Sequence, residues 1–241
     1  MTDRTAVLSA LGAVRDPELD EAITELGFVS SCQVSAHDDV GEDADGSAGG
    51  AGVDVEVRLR LPTYFCAPNF AFLMVADAYD AVSAVPGVRR TEVVLEDHFA
   101  SDAINNGVRA RSGFAESFDG EAAGELDELR AEFVRKAVLA GTDRVCRPLV
   151  AAGYTTNQLA AMRLGDVAPS PDRERLRSRR QELGLPSGDD SPLLVDAATG
   201  VAVGATVLTM HLRRARLTSV NTEANAGVCR GMLRHRYGDV G

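Results

Sequence analysis

Hydrophobic and charged residues alternate strictly from Val53 to Leu61. Val53, Val55, Val57, Leu59 and Leu61 fall on one side, Asp54, Glu56, Arg58 and Arg60 on the other. This period of two predicts a strand with one buried face. After Pro68, which suits a first helical position, Phe70, Leu73, Met74, Ala78, Ala81 and Val85 recur at helical spacing. They predict a helix over 69–85, stopped by Pro86-Gly87. Upstream, Val7, Leu11 and Val14 form one stripe of a helix over 3–14. Asp16-Pro17 should end it, because a residue before proline avoids the helical region. Phe28 to Ser35 alternates loosely and Val88 to Glu96 supplies a third strand. The order helix–strand–strand–helix–strand predicts an α/β domain, an α+β sandwich of three strands with helices on one face. Residues 36–52 are acidic and Gly-rich, too hydrophilic to pack, and read as a mobile loop joining an antiparallel strand pair.

The pattern changes beyond residue 97. Residues 97–124 mix Gly, Ser, Asn and acids. The expected division is an α/β domain over 1–104, a linker over 105–124 and a mainly α-helical domain over 125–241. In that last domain Leu126, Leu129, Phe133 and Ala137 mark a helix to Leu139, and Pro148 should limit its neighbour. Thr155 or Thr156 can cap a helix through Leu164, and Asp172 to Glu182 reads as a solvated helix with Arg–Glu pairs. Residues 193–203 suggest a hairpin. Arg-rich helices are expected over 205–217 and 222–236. Residues 145–167 faintly suggest a helix-turn-helix with Gly153 in the turn and Thr155 to Leu164 as the second helix, but Arg163 is the lone basic residue on that helix.

Composition narrows the function classes. The 241 residues are 45% hydrophobic and 25% charged, enough to bury a core, and the net charge is −11. Residues 1–124 carry 8 Arg against 22 acidic residues, while residues 125–241 carry 17 basic against 14 acidic. A net acidic chain is a poor general nucleic-acid binder. No apolar run is long enough for a membrane span, and residues 1–14 lack the apolar core of a signal peptide, so a cytoplasmic protein without membrane contact is expected. Cys32, Cys66, Cys146 and Cys229 are scattered without a CxxC, which matches neither a disulfide framework nor zinc-ligand spacing. There is no P-loop, dinucleotide-binding glycine motif, HExxH or GxSxG, so an enzyme is not expected.

Cys66 stands between the alternating strand and the amphipathic helix. A thiol at such a junction faces unpaired backbone N–H groups and the positive helix end, both of which favour thiolate, the form that binds soft metals. The alternative is a cysteine acting as a small buried hydrophobe. Cys32, in phase with Phe28 and Val34, points to the core and is a poorer ligand candidate. Asp16 can order a turn or serve a metal. His98 follows Asp97, whose carboxylate could orient it as metal-bound histidines are oriented; the competing reading is a surface histidine. Cys146, Cys229, His211 and His235 lack ligand spacing and read as structural or incidental.

Four motifs resemble the PaaD-like and SufT-like metal–sulfur cluster assembly domain. These are Asp16-Pro17-Glu18, Glu25-Leu26-Gly27-Phe28-Val29, Thr63-x-x-Cys66 and Val85-Pro86-Gly87-Val88, in the family's order over the first hundred residues. The family's Pro-Gly before the cysteine is Tyr64-Phe65 here, and the chain is similar to longer actinobacterial forms associated with binuclear-iron monooxygenase systems. The resemblance implies an iron–sulfur maturation factor with Cys66 as carrier or ligand thiol. Asp16 and Glu18 would form an acidic turn beside it, Thr63 would donate to its sulfur, and His98 would be a further supporting residue. Iron or an iron–sulfur cluster would be held transiently. One thiolate cannot complete a cluster's coordination, so a client metalloenzyme, an assembly protein or a second copy of the chain would complete it. A second reading is a metal-free adaptor or chaperone, with Tyr64 and Phe65 as a contact patch. A DNA-binding regulator using the Arg-rich C-terminal region is a third and poorer fit.

Overall fold

The alternating segment forms the centre of a three-stranded sheet. The computed structural model describes residues 2–36, 52–118 and 126–238, and the expected acidic loop lies almost wholly outside them. Strand β1 (Val29–Ala36) pairs antiparallel with β2 (Val53–Arg60), and β2 pairs in parallel with β3 (Val88–Glu96). The register sets Cys32 opposite Val57, and Val57 opposite Val93, so the apolar phases of all three strands coincide. Before the sheet comes α1 (Arg4–Leu11), capped by Asp3, whose carboxylate accepts from the Ala6 N–H at 2.9 Å. Helix α2 (Pro68–Ser83) makes the crossover and lays Ala71, Val75, Ala78 and Val82 against the core. These small residues let the helix axis approach the sheet. The fold class is α+β, as the pattern predicts.

Residues 101–117, which include part of the expected linker, are built into this unit. Helix α3 (Ser101–Ala110) buries Ile104 and Val108, and α4 (Phe114–Ser117) follows at once. Asn105 accepts from the Leu95 N–H at 2.8 Å and donates to the Leu95 carbonyl at 3.1 Å, closing part of the β3 edge. A Cβ at Gly107 would lie 2.0 Å from Ser117 Oγ, so only glycine admits α4 there. Residues 119–125 lie outside the described residues.

Two compact units divide the chain, residues 1–126 with 226–241, and residues 127–225. The first unit therefore takes residues from both ends of the sequence. The second contains α5 (Asp127–Ala151), α6 (Thr156–Ala161), α7 (Pro171–Glu182) and the first part of α8 (Leu208–Tyr237). Pro148 lies inside α5 instead of limiting it, since a proline in the last turn removes a single helical bond. The two expected Arg-rich helices are one continuous α8. Ser219, where the pattern weakens, is buried, receiving Arg147 at 3.0 Å and donating to Glu223 at 3.0 Å. Thr155 and Gln158 form a capping box at α6, and a 3-10 turn begins at Leu164. The expected hairpin is a single bridge, Val195 to Ala202. Arg180 is buried in this unit and donates to the carbonyls of Pro186, Pro192 and Leu193, at 2.5 Å to the last. Desolvation lowers its pKa to about 10.

Candidate functional site

Cys66 closes the loop that joins β2 to α2, one residue before the Ala67 cap of the helix. The loop is held from three directions. The Phe99 N–H donates to the Tyr64 carbonyl at 3.0 Å, and Arg236 donates to the Leu61 carbonyl at 3.3 Å. The third tether is His98, whose Nε2 lies 2.7 Å from the Cys66 carbonyl oxygen. Its Nδ1 accepts the Ala100 N–H at 3.2 Å, which leaves the proton on Nε2 and makes His98 the donor to Cys66. The Cys66 backbone is thus fixed while its thiol stays partly exposed, with Thr63 Oγ1 3.1 Å from Sγ.

His98 is buried, contrary to the surface reading, and desolvation holds its pKa below the usual histidine range. Asp97 does not orient it. The Asp97 backbone is left-handed, φ 51°, and its carboxylate pairs with Arg236 at 2.5 Å and accepts from the Tyr237 hydroxyl at 3.0 Å. With both ring nitrogens committed to backbone groups, His98 positions the loop and has no lone pair left for a metal.

Asp16 lies in the tight turn after α1. Its Oδ1 accepts from the Glu18 and Leu19 N–H groups, each at 2.9 Å, an Asx-type turn. Burial raises its pKa to about 6 against those two bonds. Of the two expected roles, the turn-forming one is the one these bonds show.

Cys229, expected to be structural or incidental, packs against the core of the first unit. Ala226, Cys229 and Leu233 share one face of α8, with Ala226 and Leu233 buried in the core of the first unit and Cys229 packed against it. Next to it Arg230 pairs with Glu21, from the Asp16 turn. Desolvation and then the charges of Asp16, Cys66 and Glu18 push the Cys229 thiol up to about 11. Cys229 thus lies within electrostatic reach of Asp16, Cys66 and Glu18. Its one sequence signal is apolar spacing to Leu233, which says nothing of what the helix packs on. Cys32 is apart from this group: it sits in the sheet core, and burial raises its pKa. Cys146 is buried in the second unit and pushed up to about 12. Among the described residues no three His, Cys, Asp or Glu side chains are grouped closely enough to hold a metal by themselves.

Beside Cys66 runs an open groove of about 600 Å³, with Thr63, Tyr64 and Phe65 on one wall and Gly231, Met232 and His235 on the other. Phe65 is 73% exposed, and Tyr64, Phe99 and Met232 are also exposed. Tyr64 and Phe99 face each other with ring centroids 6.3 Å apart. Among the described residues no helix is long and apolar enough to cross a membrane. Comparison of the chain with protein-family models, curated proteins and solved structures gives no match.

Proposed function

We propose that this chain is a non-enzymatic maturation factor that carries iron, or an iron–sulfur fragment, on Cys66 and passes it to a client metalloenzyme. The observation that carries the reading is the state of Cys66. Its carbonyl is clamped by His98, the residue is partly exposed, and a hydroxyl stands 3.1 Å from its sulfur. Thr63 can donate to the thiolate, which lowers the charge density on sulfur and eases release of the cargo. Among the described residues no group of three His, Cys, Asp or Glu side chains supplies a full ligand set. Incomplete coordination makes the held metal labile, and exchange onto a client that supplies a full set is downhill.

The test is anaerobic reconstitution of wild type and Cys66→Ser with iron and sulfide, followed by transfer to an apo client enzyme. Cys66-dependent iron and sulfide retention with loss of client activation by Cys66→Ser supports the carrier. Full activation by that variant overturns it. The exposed Tyr64, Phe65, Phe99 and Met232 favour a second reading, a metal-free adaptor gripping its client through this apolar patch. In that case Cys66→Ser is silent, while Tyr64→Ala and Phe65→Ala weaken client capture. A nucleic-acid role is a weaker proposal, since α6 is six residues long and Arg163 lies beyond its end.

A further inference from the structure

We propose that the outward face of α8 in the second unit is a docking surface for an acidic amphipathic helix of a partner protein. The surface is separate from the Cys66 loop, and the inference stands whether or not Cys66 carries metal.

Residues 208–225 of α8 are apolar on two opposite sides. One side packs into the second unit: Leu208, Ala215 and Ser219 are buried, and Leu212 packs against the same core as Leu208. Polar contacts to α5 fix the rotation of the helix. Arg147 donates to Ser219 and pairs with Glu223 at 2.8 Å, and Arg216 pairs with Asp143 at 3.4 Å. The other side is thereby turned to solvent. It carries Met210, Leu217 and Val220, which are 69%, 62% and 41% exposed, followed by the exposed Ala224. Successive spacings of seven, three and four residues place these side chains on one stripe. A helix that is apolar all round is normally covered all round, and here one side is bare.

Charge says what covers it. Arg213 and Arg214 lie between Met210 and Leu217, one on each flank of the stripe, and both are exposed. Among the described residues neither guanidinium has an ion pair, although Arg216 beside them does. On α7, by contrast, Arg173, Arg177 and Arg179 each pair with a carboxylate. Covering an unpaired guanidinium with apolar surface alone carries a large desolvation cost. The occupant must therefore bring carboxylates beside an apolar stripe of its own. A second copy does not: Glu223 is the one acidic residue of α8 and is held by Arg147. Pairing this face with itself would bring arginines together without a counter-charge. A nucleic acid would satisfy the arginines and leave the apolar stripe bare. An amphipathic helix with acidic flanks satisfies both, its anchors meeting the stripe at helical spacing.

The experiment is fluorescence anisotropy of labelled synthetic helical peptides titrated with the full chain. The peptides carry a leucine stripe in each helical register, flanked by glutamate, by glutamine or by lysine. The protein is wild type, Leu217→Ser, or the double variant Arg213→Glu with Arg214→Glu; thermal melts confirm that these surface variants fold. The expected result is saturable binding of a glutamate peptide that weakens with salt and falls at least about tenfold in either variant. The double variant should in turn gain binding to the lysine peptide. Absence of glutamate-peptide binding, or equal binding of the glutamine peptide, would overturn the proposal. Phosphatidylglycerol vesicles and a DNA duplex run in parallel, and binding of either through Leu217 and the two arginines, without peptide binding, would overturn it in favour of that surface. A dimer in native mass that Leu217→Ser abolishes would overturn it in favour of a second copy. None of these outcomes touches the reconstitution test of Cys66, so the two readings fail separately.

Discussion

His98 donates from Nε2 to the Cys66 carbonyl oxygen across 2.7 Å, so a buried imidazole, and not a ligand, sets the conformation of the thiol loop. His98→Ala leaves that carbonyl and the Ala100 N–H without partners and should cost about 1–3 kcal/mol. Denaturant unfolding measures the loss, and faster amide exchange over 62–67 locates it. The wild-type pH dependence has a defined sign. Burial depresses the folded-state pKa of His98 below 6.5, so its contribution is complete above 6.5 and lost as pH falls through that value toward the folded pKa. The His98→Ala variant should lack this acid-side decline.

Asp16 works in the opposite direction. Its folded-state pKa is raised from 3.8 to about 6, so the stability it contributes is present below 3.8 and lost as pH rises through about 6. Asp16→Asn keeps an oxygen for the Glu18 and Leu19 N–H groups without the buried charge. It should gain about 2–3 kcal/mol over wild type at pH 7.5, and the gap should close toward pH 4. Urea melts of both proteins across that range check the crossing; a gap that does not change with pH would show that Asp16 titrates normally.

Docking of α8 is testable at Leu233, which is 3% exposed. Leu233→Ala should destabilise the first unit by about 2–4 kcal/mol through the cavity it leaves. Phe65→Ala, at a side chain largely in solvent, should change stability by less than about 0.5 kcal/mol. Thermal melts of the two variants side by side separate packing residues from surface ones.

Alkylation of the reduced, metal-free protein at pH 8 should mark Cys66 first, with Cys32 and Cys146 protected by burial. Cys229, its thiol pushed up to about 11, should react at least about tenfold more slowly than an ordinary exposed thiol. Peptide mapping by mass spectrometry over time reads all four positions. Labelling of Cys146 as fast as Cys66 would mean that the second unit opens readily.

The sheet and α2 were legible because their burial follows strict periods: the alternation from Val53 and the stripe from Phe70 each admit one inward face. Helix α3 was not, since Asn105, Asn106 and Gly107 dilute its stripe to Ile104 and Val108, and Asn105 acts through side-chain bonds to Leu95 that composition does not announce. Cys66 was legible from its place between strand and helix. The role of His98 depends on a tautomer and on the left-handed turn at Asp97, neither of which has a residue pattern. Cys229 was hidden for a different reason. The core it packs against is built from residues distant along the chain, and only the docking of a later helix brings it there.

The first unit takes its last helical turns from residues 226–237, after the whole of the second unit has been threaded. During synthesis, the strands and α2 leave the ribosome long before Leu233 can fill its place in their core. A nascent chain therefore displays Cys66 on an unfinished unit, without Arg236 to pin its loop. Synthesis of residues 226–237 is thereby coupled to closure of the Cys66 loop, and a product truncated before Leu233 would have a poorly folded first unit.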